Sequence, residues 1–149
     1  GSSDCMPRMY DQTQFGVEAE KWDPARYVPD VVCVNLGTND VSTDPYDKTM
    51  LENAYRDFYY PLRSKYPETK IVFLSGCALA GNRLEHIQHA MDAVVRQARL
   101  AGDKNVFRFD TSTQNGDLGY GAAWHPSKWQ HEKMAGELTA YLRGLMKWF

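Results

Sequence analysis

Long apolar runs are absent from this sequence. No stretch approaches the roughly 20 apolar residues that a membrane-spanning helix needs, and the N-terminus shows no basic region followed by an apolar run. Neither sign of charge dominates, because 17 Lys and Arg stand against 19 Asp and Glu for a net charge of −2. We therefore expect no signal peptide in the chain, and no binding to membranes or nucleic acid. A small neutral or glycan ligand fits this charge better.

Cysteine is scarce, and what there is lacks the spacing of a metal site. The three cysteines are Cys5, Cys33 and Cys77, and the last two lie in or just after apolar runs. That position favours buried free thiols over a disulfide. His86 and His89 are three residues apart, but no acidic or cysteine partner completes a zinc set. We predict neither a metal nor a cofactor.

The chain is long enough for one domain and shows no internal repeats. With 149 residues, of which 43% are hydrophobic, residues 1–149 are predicted to form a single globular domain with a real core. The first 30 residues have the weakest pattern and are predicted to be loop with at most a short helix.

Three apolar, β-branched runs predict three strands, at residues 31–36, 70–76 and 105–110. The first run, VVCVNL, reads as a central strand buried on both faces, as in a parallel sheet. Between and after the strands, apolar residues at three- and four-residue spacing predict amphipathic helices. These helices are expected to begin at Pro45, after the N-cap Asn82, and at Pro126.

Alternation of strands and helices predicts an α/β fold with right-handed crossovers and a parallel sheet. Three strands are few for this class, because parallel sheets usually have about five strands and are covered on both faces. The prediction is therefore a three-layer α/β/α sandwich that lacks its first βα unit.

Polar residues follow the first predicted strand in the sequence LGTND, residues 36–40. Ligands of open parallel sheets bind at the carboxyl ends of the strands. The amide of Asn39 could donate a hydrogen bond to the negative oxygen that forms when an ester carbonyl becomes tetrahedral. Asn and Asp after Gly equally serve to shape a turn by bonding their own backbone, so both interpretations stay open here.

His125 lies in GAAWHPSKWQH, between a Gly-rich loop and a helix start. An imidazole there can take a proton from a hydroxyl and return it to a leaving alcohol near neutral pH. A loop histidine that only caps or packs is the alternative. For His131, six residues further on, we favour a structural role.

The segments PDVVCVNLGTND and WHPSKWQHEKMAGEL resemble the Gly-x-Asn-Asp block and the C-terminal histidine block of the SGNH (GDSL) hydrolase superfamily. More narrowly, MPRMYDQT, WDPARYVPDVV, NLGTND and AAWHPS look like the acetyl xylan esterases of carbohydrate esterase family two. The resemblance implies the flavodoxin-like sandwich predicted above, and a secreted or periplasmic serine esterase. Such an enzyme would remove O-acetyl groups from plant polysaccharide.

By this resemblance, particular residues take particular roles. His125 would be the general base and Asn39 an oxyanion-hole donor. Trp124 would form an aromatic wall of the sugar cleft, with Gly37 beside it in the substrate-binding set. Asp40 would brace the turn. No metal or cofactor is implied.

Two departures from the family pattern stand out. The early Gly-Asp-Ser block that carries the nucleophile does not occur, and Ser2 and Ser3 have no preceding strand to hold them. Ala122 also stands where the superfamily usually has an aspartate, three positions before His125. In the resembling family a backbone carbonyl can hold the imidazole instead. Because the Gly-Asp-Ser block is absent, the nucleophilic serine would come from a missing N-terminal segment or a second chain.

Three hypotheses follow. The first is an esterase of the Ser-His type, inactive as this chain alone if the serine is elsewhere. The second is a non-catalytic, glycan-binding remnant in which Trp124 and nearby tyrosines hold sugar. The third is a structural fragment that needs its missing part to fold, because exposed sheet edges favour aggregation.

Overall fold

The chain alternates strands and helices in the order that the sequence predicts. A computed structural model describes residues 5–14, 16–18 and 20–149. The three strands are β1 (Val31–Val34), β2 (Lys70–Ser75) and β3 (Val106–Asp110), and the four helices are α1 (Met6–Met9), α2 (Lys48–Lys65), α3 (Gly81–Leu100) and α4 (Lys128–Met146). Two short 3₁₀ turns lie at Pro24–Arg26 and Ala122–Trp124.

The three strands form one parallel sheet in the order β1-β2-β3. Val32 of β1 pairs with Ile71 of β2, and Ile71 pairs with Val106 of β3. The central strand is therefore β2. Among the described residues β1 is an edge strand, so the predicted central position of residues 31–36 requires a further strand at its outer edge. Its β-branched composition is that of an inner strand, but the Cys33 side chain is exposed.

One face of the sheet carries the hydrophobic core. Side chains alternate between the two faces of a strand, and Val34, Ile71, Phe73 and Val106 point toward helices α2 and α3. The two helices meet the sheet and each other through a continuous cluster of buried side chains. Its helical members are Leu51, Tyr55, Phe58, Tyr59, Leu62, Ile87, Ala90, Met91, Val94, Val95 and Ala98.

The opposite face is covered by α4, which completes three layers. Arg108 of β3 reaches α3, where its guanidinium donates to the Gln88 carbonyl. The neighbouring residue Phe109 therefore points the other way, and its ring stacks on Tyr141 of α4 at 4.6 Å between centroids. Gln130 is the one α4 residue that is fully buried. The apolar residues of α4 are half-buried or exposed, so this layer is less closed than the α2/α3 layer.

Helix starts differ from the predictions by two or three residues. Helix α2 begins at Lys48 instead of Pro45, because the Asp47 carboxylate accepts the N–H of Met50. Helix α4 begins at Lys128 instead of Pro126, because Ser127 caps the N–H of Gln130. The predicted cap Asn82 is wrong, since it lies inside α3 and Ala80 occupies the N-cap position.

The cysteines are free, but they are not uniformly buried. Cys77 is buried, Cys5 is half-buried and Cys33 is exposed. The expectation of a buried thiol is therefore wrong for Cys33. Its side chain leaves β1 on the face opposite Val34, where the described residues cover the sheet least.

Residues 5–14, 16–18 and 20–149 include neither a membrane-spanning helix nor a cluster of metal ligands. In that part of the chain no helix combines the length and apolarity needed to cross a bilayer. No group of three His, Cys, Asp or Glu side chains is arranged there to hold a metal ion.

Candidate active site

The two polar motifs come to the same edge of the sheet. Asn39 lies in the turn after β1, and His125 lies in the long loop after β3. Both strands end at this edge because the sheet is parallel. With β2 between them, the two strand ends are separated by about 10 Å, or two strand spacings. An edge of this kind is where open parallel sheets bind ligands.

The turn that carries Asn39 is closed by backbone hydrogen bonds. The Gly37 carbonyl accepts the N–H of Asp40 at 3.0 Å and of Val41 at 3.3 Å. The Asn39 carbonyl accepts the Ser42 hydroxyl at 2.8 Å. The bracing contact of Asp40 is thus made by its backbone. The exposed Asn39 side chain stays available to a ligand.

Gly37 is required by the shape of this turn. Its φ of +100° lies in the left-handed region, and a Cβ there would be 2.6 Å from both Ile87 Cδ1 and the Tyr55 hydroxyl. That hydroxyl donates to the Leu36 carbonyl at 2.7 Å. Burial raises the pKa of Tyr55, with a smaller contribution from the charge of Asp40, so the phenol stays protonated as a donor. Gly37 itself is buried.

Arg83 ties the same turn to the start of α3. Its guanidinium donates to the Ser42 carbonyl at 3.0 Å and to the Asp44 carboxylate at 2.7 Å. The Asn39 turn is thereby connected to a helix that belongs to the core.

His125 is oriented by a backbone carbonyl. Its Nδ1 lies 3.0 Å from the Ala122 carbonyl oxygen, which also accepts the His125 N–H at 3.1 Å. A carbonyl oxygen can only accept, so Nδ1 must carry the proton of the neutral ring. Nε2 is then an unprotonated acceptor on an exposed side chain. This is the tautomer that a general base needs to take a proton from a hydroxyl.

The loop from Asn115 to Ser127, which we call the histidine loop, holds itself in shape. Tyr120 and Pro126 form an antiparallel bridge, and the Gly121 N–H donates to the His125 carbonyl at 2.7 Å. A Cβ on Gly121 would lie 3.0 Å from the Pro126 carbonyl oxygen. The Ser127 hydroxyl closes the loop by donating to the Leu118 carbonyl at 2.6 Å.

Trp124 stands out from this loop with 75% of its surface exposed. The Tyr120 ring packs against it edge-on at 5.2 Å between centroids. Ala123 and Trp124 both have positive φ, +49° and +62°. Such a conformation costs a non-glycine residue about 1–3 kcal/mol and is found mainly at functional sites. This conformational cost supports a functional role for Trp124 in place of a packing role in the core.

The other histidines make separate contacts. The Tyr46 hydroxyl contacts His86 Nδ1, and His89 lies 3.4 Å from the Glu52 carboxylate. His131 is exposed, and its N–H donates to the Ser127 carbonyl in the first turn of α4.

Neither Ser75 nor Cys77, which lie at the end of β2 and just after it, takes the place of the serine of the Gly-Asp-Ser block. Ser75 is fully buried, and its hydroxyl donates to the Asp110 carboxylate at 2.7 Å. Burial also raises the pKa of the Cys77 thiol, which disfavours the reactive thiolate. The Ser2 and Ser3 candidates lie outside the described residues.

Sequence reasoning missed three contributors to the site. They are the carbonyl of Ala122, the ring of Tyr120 and the side chain of Gln114, whose Nε2 donates to the Trp124 carbonyl at 3.0 Å. A carbonyl leaves no signal in the sequence. The Gln114 contact spans ten residues of irregular loop, where no periodicity predicts which side chains meet.

Comparison with known proteins agrees with the resemblance drawn from the motifs. The cellulase/esterase CelE of Acetivibrio thermocellus is 38% identical over 128 residues, which are 86% of this chain and 16% of CelE. The acetylxylan esterase / glucomannan deacetylase of Cellvibrio japonicus is 34% identical over 132 residues, 88% of this chain and 35% of that protein. The chain thus spans about a third or less of these relatives.

A solved structure supports the fold in the same way. The family two carbohydrate esterase from Clostridium thermocellum, in complex with cellohexaose, superposes with a TM-score of 0.93 at 34% identity. The superposition covers 100% of this chain and 46% of that one. The predicted α/β fold with a parallel sheet is confirmed. Residues 5–138 match the profile of GDSL-like lipases and acylhydrolases, and the chain belongs to that family.

Proposed function

We propose that this chain carries the histidine and oxyanion-hole half of an active site that removes O-acetyl groups from plant polysaccharide. The observation that carries the proposal is the 3.0 Å contact between His125 Nδ1 and the Ala122 carbonyl, which leaves Nε2 free to accept a proton. Among its relatives, one is an acetylxylan esterase / glucomannan deacetylase, and another is a family two carbohydrate esterase whose structure contains cellohexaose.

The reaction would be acyl transfer through an acetyl-enzyme. A serine Oγ attacks the acetyl carbonyl carbon while His125 Nε2 takes the serine proton, and the Asn39 amide donates to the negatively charged oxygen. Collapse of the tetrahedral intermediate breaks the bond to the sugar oxygen, which takes the proton from Nε2. Water then attacks the acetyl-enzyme by the same route and releases acetate. The neutral Ala122 carbonyl orients the ring but stabilises its cation less than a carboxylate would.

The serine would come from a strand-serine-helix unit that pairs with the outer edge of β1. That unit is either joined upstream of residue 1 or carried by a second chain. Three observations support this. The sequence contains no Gly-Asp-Ser, the outer edge of β1 pairs with no strand of the described residues, and the half-buried α4 layer leaves Cys33 exposed. An unpaired strand edge readily accepts another strand.

The test is complementation with a segment of a relative. Hydrolysis of p-nitrophenyl acetate and acetate release from acetylated xylan are measured for the chain alone. The same assays are run on the chain mixed with the part of CelE that immediately precedes the matched 128 residues. His125→Ala serves in both arms, and His131→Ala is the matched control because it removes an exposed histidine six residues away. A serine-directed fluorophosphonate with mass mapping identifies any nucleophile.

We expect activity only in the mixture, its loss in His125→Ala, its retention in His131→Ala, and an adduct on the added segment. Turnover by the chain alone, with an adduct on Ser2 or Ser3, would contradict the external serine. A folded mixture without turnover would contradict the esterase proposal. A chain that aggregates alone and is rescued by the segment would favour the structural-fragment hypothesis for the isolated chain.

A second candidate function, glycan binding without turnover, is favoured by the exposure of Trp124. Sugar rings stack on exposed aromatic faces, and the 75% exposed indole beside Tyr120 offers such a face. Calorimetry with cellohexaose and acetylated xylo-oligosaccharide would compare Trp124→Ala with Trp129→Ala, whose indole is 58% exposed on α4. Binding lost only in Trp124→Ala, in a chain that stays inactive with the added segment, would support this candidate.

We also propose that the protein acts outside the cytoplasm, in the medium or the periplasm. A polymeric substrate is too large to enter a cell, which supports this location. Fractionation of the source cells with an antibody to this chain would test it, and detection in the cytosol alone would contradict it.

A further inference from the structure

We propose that Gln114 is a positioning residue for His125, an inference that rests on the proposed role of His125 as general base. Gln114 lies in the loop after β3, ahead of the histidine loop. Its Nε2 donates to the Trp124 carbonyl at 3.0 Å. That carbonyl belongs to the peptide that joins Trp124 to His125, so Gln114 holds the backbone at the base of the imidazole.

Gln114 is itself fixed to the end of the central strand. Its N–H donates to the Cys77 carbonyl at 2.9 Å, and its Oε1 lies 3.9 Å from the Cys77 thiol as a weak acceptor. Cys77 is 3% exposed. The adjacent Thr113 hydroxyl donates to the Leu79 carbonyl at 3.3 Å. Gln114 therefore connects the buried residue Cys77, two positions after β2, to an exposed loop.

The peptide that Gln114 holds is in a costly conformation. Trp124 has a φ of +62°, a backbone conformation that is energetically unfavourable for any residue with a Cβ. Among the described residues, no other group donates to the Trp124 carbonyl. Without the Gln114 amide, the peptide can rotate and Trp124 can return to negative φ. His125 would then leave the 3.0 Å contact with Ala122, and the proton would no longer be held on Nδ1.

The experiment reads the tautomer of His125 directly. The chain is labelled with ¹⁵N-histidine, and nitrogen–proton correlations at a pH where the ring is neutral show which nitrogen carries the proton. Gln114→Ala removes the amide. Gln114→Glu keeps the size, but its ionised carboxylate cannot donate and repels the carbonyl. The matched control is Gln130→Ala, because Gln130 also donates through Nε2 to a loop carbonyl, that of Ser112.

We expect the Nδ1–H form to be the major form in wild type and in Gln130→Ala, and the minor form in both Gln114 variants. The signals of His86 and His89 should stay unchanged, which shows that the fold is intact. If Gln114→Ala unfolds, Gln114→Glu decides.

An unchanged Nδ1–H form in a folded Gln114 variant would overturn the proposal, because a merely structural role would lower stability without moving this proton. The tautomer is measured on the isolated chain and needs no turnover. Failure of this inference is therefore distinguishable from failure of the esterase proposal.

Discussion

At the scale of single residues, Gly37 shows how a core contact sets the geometry of the site. The residue has positive φ, and the space that a Cβ would need is occupied by Ile87 and by the Tyr55 hydroxyl. Ile87 and Tyr55 are themselves core residues. The turn that presents Asn39 is thus pressed against the α2/α3 layer.

Gly37→Ala should destabilise the chain by about 3 kcal/mol, because it adds backbone strain to overpacking. Urea unfolding followed by circular dichroism measures the difference. Gly136→Ala is the matched control, since nothing lies within 4 Å of a Cβ there. Inside helix α4 that change should stabilise by about 0.5–1 kcal/mol. Equal midpoints for Gly37→Ala and wild type would contradict the packing argument.

The sequence indicates candidate reactive residues for this site, but not the residues that hold them. Asn39 and His125 are candidates because amide and imidazole groups suit ester hydrolysis and because each follows a predicted strand. That they lie at one sheet edge follows from the parallel order of the strands. Gln114 could not be named, since its contact depends on the path of an irregular loop. The roles of Asn39, His125, Trp124 and Gly37 in chemistry stay predictions.

At the scale of elements, apolar β-branched runs predict all three strands, and apolar residues at three- and four-residue spacing predict the three long helices, because burial imposes both patterns. The edges of the elements were less predictable. Asp47 and Ser127 start their helices with side-chain caps, whereas the predicted helix starts were the nearby Pro45 and Pro126. Composition predicts β1 as a central strand, whereas among the described residues only one of its edges is paired.

The ends of four elements meet at one half-buried ion pair. Arg63 of α2 donates to the Asp103 carboxylate at 2.8 Å and to the Thr69 and Asn105 carbonyls at 2.6 and 2.9 Å. Tyr59 donates to the same carboxylate at 2.6 Å. Burial would raise the pKa of Asp103, but hydrogen bonds from Tyr59 and the Asn105 N–H, with the charge of Arg63, outweigh it and lower that pKa. Burial and the bond to Asp103 raise the pKa of Tyr59 to about 12.

Asp103→Asn should lower the free energy of unfolding by about 2 kcal/mol at pH 7. The folded pKa lies below the unfolded value of about 3.9, so the carboxylate stabilises above that pH and loses its contribution as the pH falls through the folded pKa. The difference between wild type and variant should therefore shrink at pH 3. Urea midpoints at both pH values measure it.

Asp57→Asn is the control for that experiment, because the Asp57 side chain is 69% exposed in its pair with Arg56. We expect a change under about 0.5 kcal/mol at either pH. A similar loss in the two variants, or a loss in Asp103→Asn that does not depend on pH, would contradict the role of the ion pair.

At the scale of the whole molecule, the two faces of the sheet differ in how completely they are covered. Helices α2 and α3 bury most of one face, whereas the α4 layer leaves Cys33 exposed beside an edge that pairs with no described strand. A strand added at that edge would lie next to Cys33. The thiol is thus a natural reporter of docking.

In a Cys5→Ser background, the folded chain should react with a maleimide at Cys33 and not at Cys77, which is 3% exposed. Intact mass and peptide mapping give the rate at each position. Adding the CelE segment described above should slow labelling of Cys33 at least tenfold. Complementation of activity with an unchanged Cys33 rate would mean that the segment docks elsewhere.

The contact between His125 and the Ala122 carbonyl has a consequence for how this site tolerates genetic change. Every amino acid carries a backbone carbonyl, so substitutions at position 122 that keep the loop path should preserve the tautomer of His125. A single substitution can remove an aspartate in that role. The position of the carbonyl depends instead on the conformation of the entire loop. A sequence search that requires an aspartate three positions before the histidine would therefore miss chains in which a backbone carbonyl orients the imidazole.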